Sequence, residues 1–112
     1  MLFRSCIFDE LYSGTNPYEA IATAYSYLTH ICDKKNVDFI LTTHYIKLCE
    51  LFKKNTNINN IHMKTTIKNN KPQYFYKIKN GISQIKGGVH VLKQLQYPKK
   101  ITDKAVKILN TI

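Results

Sequence analysis

Two adjacent acids, Asp9 and Glu10, directly follow the apolar segment Cys6–Phe8 near the start of the chain. An apolar run that ends in two acids is typical of a buried strand whose C-terminal end opens on a site. There, one carboxylate can organise Mg²⁺ while its neighbour orients or deprotonates an attacking water, as hydrolysis of a nucleoside triphosphate requires. The pair alone is weak evidence, since many strands end in acids at a solvated turn.

The residues that follow the acids make the pattern more specific. The segment Ser13-Gly14-Thr15-Asn16 comes next, and its glycine allows a tight turn. Further along, Thr42, Thr43 and His44 follow a second apolar segment, Val37–Leu41. Because the carboxyl ends of neighbouring parallel strands share one edge, we expect His44 to lie near the acids. A lone histidine at a strand end more often has a structural role. The order of acids, Gly-Thr turn, capped helix, strand and Thr-His is more specific and favours a ligand-binding site.

A strand, helix, strand and helix must position these residues. We predict strands at Leu2–Phe8 and Val37–Leu41, which form a parallel βαβ unit. The first helix should begin with Asn16 as N-cap, Pro17 at its first position and Glu19 at the capping-box position. Its apolar stripe is predicted to comprise Tyr18, Ile21, Tyr25, Leu28 and Cys32, and that of the second helix Tyr45, Leu48, Cys49 and Phe52.

The second half of the chain has a different pattern. Residues 61–68 alternate between apolar and polar types, and Asn69 to Pro72 predict a turn into a second strand with Tyr74, Tyr76 and Ile78 on one face. Two short helices should follow, one with Val89, Leu92 and Leu95, ended by Pro98, and one with Ile101, Ala105, Ile108 and Ile112. We therefore predict one domain with three parts: a βαβα unit at 1–56, a β-hairpin at 57–80 and a helical hairpin at 81–112.

The net charge of +10 is concentrated after Phe52, where the sequence contains thirteen lysines and one acid, Asp103. Such a basic segment favours polyanions, although AT-rich coding alone also raises the lysine count. The alternative to an enzyme is therefore a basic module that binds nucleic acid or a protein partner. In that case the hairpin aromatics Tyr74, Phe75 and Tyr76 would stack on bases, and the nearby Lys71, Lys77 and Lys79 would contact phosphates. The other possibility is that these aromatic rings face the core.

Cysteine content and hydropathy indicate the cellular setting. Cys6, Cys32 and Cys49 are odd in number and lie among apolar residues, which favours buried thiols in a reducing compartment. No apolar run approaches the roughly 20 residues that cross a bilayer. We expect a soluble intracellular protein without a membrane partner, and the pattern does not distinguish cytoplasm from nucleus.

The series of motifs resembles one family. The string Phe8-Asp9-Glu10-x-x-x-Gly14-Thr15-x-x-Tyr18 is similar to the Walker B segment and D-loop of MutS-family DNA mismatch repair ATPases. The string Thr42-Thr43-His44-Tyr45 resembles the "ATHY" that ends the next strand of these proteins. The resemblance continues through the hairpin and both terminal helices. The motifs look similar to those of the divergent MutS-like proteins of large DNA viruses.

The resemblance implies a fold and a role for each matching residue. The fold would be the C-terminal half of a P-loop NTPase of the ABC/MutS type, with ATP and Mg²⁺ as cofactors of the intact protein. Asp9 would help to hold Mg²⁺, Glu10 would orient the hydrolytic water, and His44 would sense the γ-phosphate. Ser13, Gly14, Thr15 and Asn16 would form the D-loop, which meets a second protomer across a composite ATP site. The terminal helices would support a homodimer, and DNA would bind through upstream domains.

The sequence also departs from the family pattern. Its glycines fall at 14, 81, 87 and 88, so no G-x-x-x-x-G-K-[ST] phosphate-binding loop is present. The family often has Arg where Ser13 stands and Ser-Thr where Asn16-Pro17 stands. We therefore expect this chain alone to hold no cofactor and to lack ATPase activity. We also expect apolar sheet surface to be left uncovered, because the strands that flank a complete sheet are absent from the sequence.

Overall fold

The computed structural model describes residues 3–112 of the chain. These residues contain four strands and four helices. A parallel strand pair, an antiparallel hairpin and the helices give a mixed α/β fold. Two compact units are present, one formed by the chain up to Ile61 with Asn80–Ile82, the other by His62–Lys79 with Ser83–Ile112. The elements are β1 (Arg4–Asp9), α1 (Pro17–Cys32), β2 (Val37–Thr42), α2 (Ile46–Phe52), β3 (Ile61–Lys68), β4 (Lys71–Asn80), α3 (Gly88–Gln94) and α4 (Lys99–Leu109).

The first unit is built on the parallel pair of β1 and β2. Their register pairs Arg4 with Val37 at one end and Asp9 with Thr42 at the other. The prediction that the first strand ends at Phe8 is wrong by one residue, because Asp9 still pairs with β2. The predicted start at Leu2 lies outside the described residues. Both strands therefore end at the same level, with Asp9 as the last residue of β1.

One face of this sheet packs against α1 and α2. The buried cluster comprises Ala24, Leu28, Leu48 and Phe52, and partly buried side chains from both strands pack against it, among them Phe8, Phe39 and Leu41. The two-residue periodicity of a strand places alternate side chains on opposite faces. The core of the first unit therefore lies between the two helices and one sheet face.

Helix α1 begins as its sequence predicts. The side-chain Oδ1 of Asn16 accepts hydrogen bonds from the backbone N–H groups of Tyr18 at 2.9 Å and Glu19 at 3.4 Å. Pro17 occupies the first turn, where its missing N–H is not needed. These contacts satisfy two of the donors that every helix N-terminus leaves unpaired. The predicted N-cap is confirmed.

The buried stripe of α1 differs from the predicted one. Ala20, Ala24 and Leu28 are fully buried, whereas Tyr18 is 84% exposed. Alanines spaced four residues apart allow the helix to approach its neighbours closely. The buried face of α1 therefore follows these alanines, one residue before the bulky side chains on which the predicted stripe was based. Tyr25 lies at the rim of the core and stacks on Phe52, with ring centroids 5.3 Å apart. The prediction for Tyr18 is wrong, and that for Leu28 is confirmed.

The three cysteines are free thiols, as the sequence predicts, but they are half-buried rather than fully buried. Burial raises the pKa of the Cys49 thiol, and a hydrogen bond to the backbone opposes this shift. A raised pKa lowers the thiolate fraction near neutral pH, and the thiolate is the reactive form. The Cys49 thiol is therefore less reactive than an ordinary exposed thiol.

The second unit contains the hairpin of β3 and β4. Asn69 and Asn70 connect the strands with φ angles of 53° and 61°, the left-handed backbone that two-residue hairpin turns require and asparagine tolerates. Lys71 and Pro72 therefore belong to β4, and the longer predicted turn is wrong. Tyr76 also has a left-handed φ, of 53°, which interrupts the pleat. The strict alternation predicted for β4 therefore fails at this residue.

Helices α3 and α4 complete the second unit and pack against each other. Pro98 is the N-cap of α4, and its φ of −49° suits a residue that enters a helix. Ile101 and Ile108 on α4 are exposed, and Ile112 lies beyond the end of the helix. The predicted apolar stripe of α4 is therefore only partly covered within the chain.

Among residues 3–112, no helix combines the length and the apolar character that crossing a bilayer demands.

Candidate functional site

The carboxyl ends of β1 and β2 form one edge of the parallel pair. Asp9 is the register partner of Thr42, the last residue of β2. The backbone N–H of Glu10 then donates to the carbonyl oxygen of Thr42 at 2.9 Å, which extends the pairing past the end of β1. Because both chains leave the sheet at the same level, the residues that follow each strand are held beside each other. We call Asp9, Glu10, Thr42 and His44 the strand-end site.

The structure brings Glu10 and His44 into direct contact. His44 Nε2 lies 2.8 Å from Glu10 Oε1, which is a hydrogen-bond distance. The side chains are 89% exposed for His44 and 46% exposed for Glu10, so a ligand can reach both. Residues 34 positions apart in sequence therefore present a carboxylate and an imidazole to the same point at the sheet edge.

Asp9 is oriented by a residue that the sequence reasoning missed. The Thr42 hydroxyl donates a hydrogen bond to Asp9 Oδ1. Asp9 and Thr42 are both exposed at the sheet edge. Its position gave a signal, since this hydroxyl residue directly follows the segment Val37–Leu41 that was predicted to lie beside β1. The contact holds the Asp9 carboxylate in one orientation at the edge.

The strand-end site offers some of the oxygen ligands that Mg²⁺ prefers, but not a complete set. Carboxylate and hydroxyl oxygens are the hard ligands that this ion prefers, and protein sites often supply one or two carboxylates beside phosphate oxygens. Within the described part of the chain, no three His, Cys, Asp or Glu side chains gather as a metal cage would require. Asp9 could therefore supply one ligand to an ion that is also held by a bound phosphate.

The turn after β1 has non-glycine residues at its left-handed positions. Glu10 and Tyr12 have φ angles of 50° and 62°, and the N–H of Ser13 donates to the Glu10 carbonyl at 3.1 Å. A left-handed backbone costs a residue with a Cβ roughly 1 kcal/mol, and such strain is concentrated at functional sites. Gly14 does not adopt this conformation, and a Cβ added to it would meet no atom within 4 Å. Gly14 lies within the turn, as predicted, but the left-handed positions of this turn are Glu10 and Tyr12.

Gly14 should therefore tolerate a side chain in this chain. We expect Gly14→Ala to raise the free energy of unfolding by up to about 1 kcal/mol, because alanine restricts the unfolded chain without straining the native backbone. Urea denaturation measures the change. Gly81→Ala is the matched control, since a Cβ added at this position would also meet no atom within 4 Å but its φ is +101°. Equal destabilisation by both substitutions would contradict this account of the turn.

The other predicted D-loop residues lie on the exposed surface between β1 and α1. Ser13 and Thr15 are exposed, as is Gly14. Asn16 is exposed as well, but its side-chain oxygen caps α1. The structure thus places this loop directly after the strand-end site, where a partner molecule could contact it. Its contribution to a composite site stays a prediction.

Comparison with known proteins identifies the class of protein to which this chain belongs. Residues 4–112 match the family described as MutS domain V. The chain is 30% identical over 106 residues to the DNA mismatch repair protein MutS of Listeria monocytogenes serotype 4b, and 32% identical over 106 residues to that of Streptococcus suis. Each alignment covers 95% of this chain and 12% of the relative. The MutS protein of Lysinibacillus sphaericus is 32% identical over 103 residues.

The chain belongs to the MutS family and corresponds to its C-terminal ATPase part, domain V. The recognition made from the sequence motifs is confirmed at this level. The prediction of a subfamily related to large DNA viruses stays a prediction. Because the chain spans about an eighth of the length of these relatives, the activity and partners of a whole MutS protein are matters for proposal.

Proposed function

We propose that this chain supplies the hydrolytic edge of an ATP site in a MutS-type mismatch repair ATPase. The observation that carries the proposal is the 2.8 Å contact between Glu10 and His44 beside Asp9 at one sheet edge. Ligands of open α/β sheets bind at the carboxyl ends of parallel strands, which is where these side chains lie. Family membership makes ATP the substrate class that fits this edge.

Each residue of the strand-end site has a role in this proposal. Asp9, oriented by Thr42, would act as the Walker B ligand to Mg²⁺, an ion that neutralises phosphate charge when bound. Glu10 would accept a hydrogen bond from the attacking water and orient it toward the phosphate. His44 would donate its Nε2–H either to Glu10, whose Oε1 lies 2.8 Å away, or to the terminal phosphate. The exposed imidazole can turn between these partners without disturbing the core.

The phosphates themselves must be held by another segment. The chain contains no G-x-x-x-x-G-K-[ST], so the backbone N–H groups and the lysine of a phosphate-binding loop come from elsewhere in the complete ATPase domain. We therefore propose that the complete domain is a P-loop NTPase of the ABC/MutS type. We also propose that the 112-residue chain alone does not hydrolyse ATP.

An uncovered sheet face supports the proposal of an incomplete domain. Ile7 and Ile40 are register partners on the face opposite the helices, and they are 83% and 65% exposed. Two aliphatic side chains at the centre of a parallel pair are ordinarily covered, because parallel sheets are buried on both faces. The remainder of an α/β ATPase domain would cover this pair. DNA contacts would then belong to domains outside this chain.

A second protomer would complete the assembly. The loop Ser13–Asn16 is exposed beside the strand-end site, and α4 carries the exposed residues Ile101 and Ile108. We propose that the loop meets the ATP site of a partner subunit and that α4 contributes to a homodimer interface. Burying these isoleucines would be favourable by roughly 25 cal/mol for each Å² removed from water.

Mixing this chain with a separately expressed segment that carries a MutS-type phosphate-binding loop tests the proposed function. We expect Mg²⁺-dependent ATP hydrolysis from the mixture and none from either part. Asp9→Asn should raise the Mg²⁺ concentration that half-maximal hydrolysis requires, because an amide is a poorer ligand than a carboxylate. Phosphate release assays measure both effects. A mixture that forms a complex, binds ATP and still lacks hydrolysis would contradict the assignment of this edge.

A further inference from the structure

The charge of the molecule divides sharply between its two units. The first unit contains six basic and six acidic residues and is formally neutral. The second unit contains eleven lysines and one acid, Asp103, and therefore carries the whole net charge of +10. A general enrichment in lysine would raise the charge of both units. The difference in net charge between the units instead indicates that the surface of the second unit attracts polyanions.

The hairpin is the part of this unit where charge and aromatic rings coincide. Residues 61–80 contain no acid, and their lysines are Lys64, Lys68, Lys71, Lys77 and Lys79. Three consecutive aromatic residues, Tyr74, Phe75 and Tyr76, lie on β4 between these lysines, and all three are exposed. The alternative that they face the core is therefore wrong.

The three rings differ in their surroundings. Lys64 Nζ lies 4.6 Å from the centroid of the Phe75 ring, a cation–π contact that holds this ring against the neighbouring strand. Tyr76 is 83% exposed and has a φ of 53°. A bulky residue in the left-handed region is strained, and such strain is frequent at ligand-binding positions. Tyr76 therefore projects from β4 with little packing to account for its conformation.

From this combination we propose that the β3–β4 hairpin binds single-stranded nucleic acid. Exposed aromatic rings stack on unpaired bases, while lysines on the same ribbon contact the phosphates between them. In a duplex the base faces are already stacked on each other, so this surface favours a single strand. The assigned residues are Tyr74 and Tyr76 for stacking and Lys71, Lys77 and Lys79 for phosphate contacts. None of them belongs to the strand-end site, so this proposal stands independently of ATP hydrolysis.

Fluorescence anisotropy of a labelled oligothymidylate titrated with the 112-residue chain tests the proposal. We expect binding that weakens steeply as salt increases, because lysine–phosphate contacts release counterions. The affinity for the single strand should exceed that for a duplex of equal length. Tyr76→Gly should weaken single-strand binding about tenfold, which corresponds to the loss of one stacked base. Tyr76→Phe should bind as the parent chain does, since the ring is retained.

The chain offers matched controls for both parts of the surface. Tyr76→Gly preserves the fold, because glycine adopts a positive φ without strain and little buried area is lost, so the melting temperature should be unchanged or higher. Tyr18→Ala removes a ring of nearly equal exposure, 84%, from the neutral unit and should leave binding unchanged. Lys71→Glu with Lys77→Glu should abolish binding. Lys34→Glu with Lys35→Glu makes the same charge change in the neutral unit and should have a small effect.

Three results would overturn the proposal. Equal affinity for single strand and duplex, unaffected by Tyr76→Gly, would show attraction of polyanions by charge alone. Equal losses from the two lysine pairs would show that the hairpin is not the binding surface. No binding to oligothymidylate at low salt, or binding only to vesicles of anionic lipid, would assign the exposed rings to a different partner.

Discussion

Glu10→Gln is expected to lower the ATPase rate of the reconstituted domain by about 10²- to 10⁴-fold while ATP still binds. This is the range that a positioned general acid or base contributes to an enzymatic rate. Glutamine has nearly the same size as glutamate, and its amide oxygen can still accept the hydrogen bond from His44 Nε2, so the geometry at the sheet edge should survive. What is lost is the negative charge and the basic oxygen that, in the proposed function, would face the attacking water.

Glu50→Gln is the matched control for this experiment. The Glu50 side chain is 47% exposed, against 46% for Glu10, and it lies on α2, where it pairs with Lys47 at 3.7 Å. An exposed pair of this kind contributes little to stability, so its loss should leave the rate unchanged. Rates from phosphate release and affinities from nucleotide binding separate the two effects. Equal rates for Glu10→Gln and the parent domain would remove Glu10 from the hydrolytic role.

Leu28→Ala is expected to destabilise the first unit by about 2–5 kcal/mol, the range measured for buried leucines. Leu28 is fully buried at the centre of a cluster with Ala24, Leu48 and Phe52. The change removes apolar contacts and leaves a cavity that the surrounding helices cannot fill completely. Because small domains are stable by only about 5–15 kcal/mol, this single substitution should remove a large part of the total.

Urea denaturation followed by circular dichroism measures the effect as a lower transition midpoint. Leu51→Ala provides the comparison, since Leu51 has the same chemistry on α2 but is 40% exposed. Its loss should cost much less, because fewer apolar contacts are removed and no closed cavity forms. Similar shifts for the two substitutions would contradict the location of the core between α1, α2 and the sheet.

Local features were predictable from the sequence because neighbouring residues determine them. The start of α1 follows from Asn16 and Pro17, whose capping and fixed φ need no distant partner. The hairpin follows from alternating side chains around the Asn69–Asn70 turn. The strands of the parallel pair were located to within one or two residues in the described part of the chain. Motif spacing also identified the MutS family, which the comparison with known proteins confirms.

Other features depend on partners distant in sequence. Tyr18 was predicted to be buried, but the packing distance between α1 and its neighbours selected the alanine stripe. Gly14 has the residue type of a turn, yet the left-handed positions fall at Glu10 and Tyr12, next to the hydrogen bond from Glu10 to Thr42. The broken alternation at Tyr76 likewise has no signal in the residue pattern of β4.

By itself the sequence determined which chemical groups this protein has and the order in which strands and helices present them. Only the tertiary structure decided that Glu10 reaches His44 and that Thr42 orients Asp9. The physical reason is the register of β1 on β2: a shift of one residue would exchange the faces of every side chain on a strand. Backbone pairing between Asp9 and Thr42, which are 33 positions apart, therefore brings the residues of the strand-end site together. The sequence alone identifies the residue types but not this arrangement.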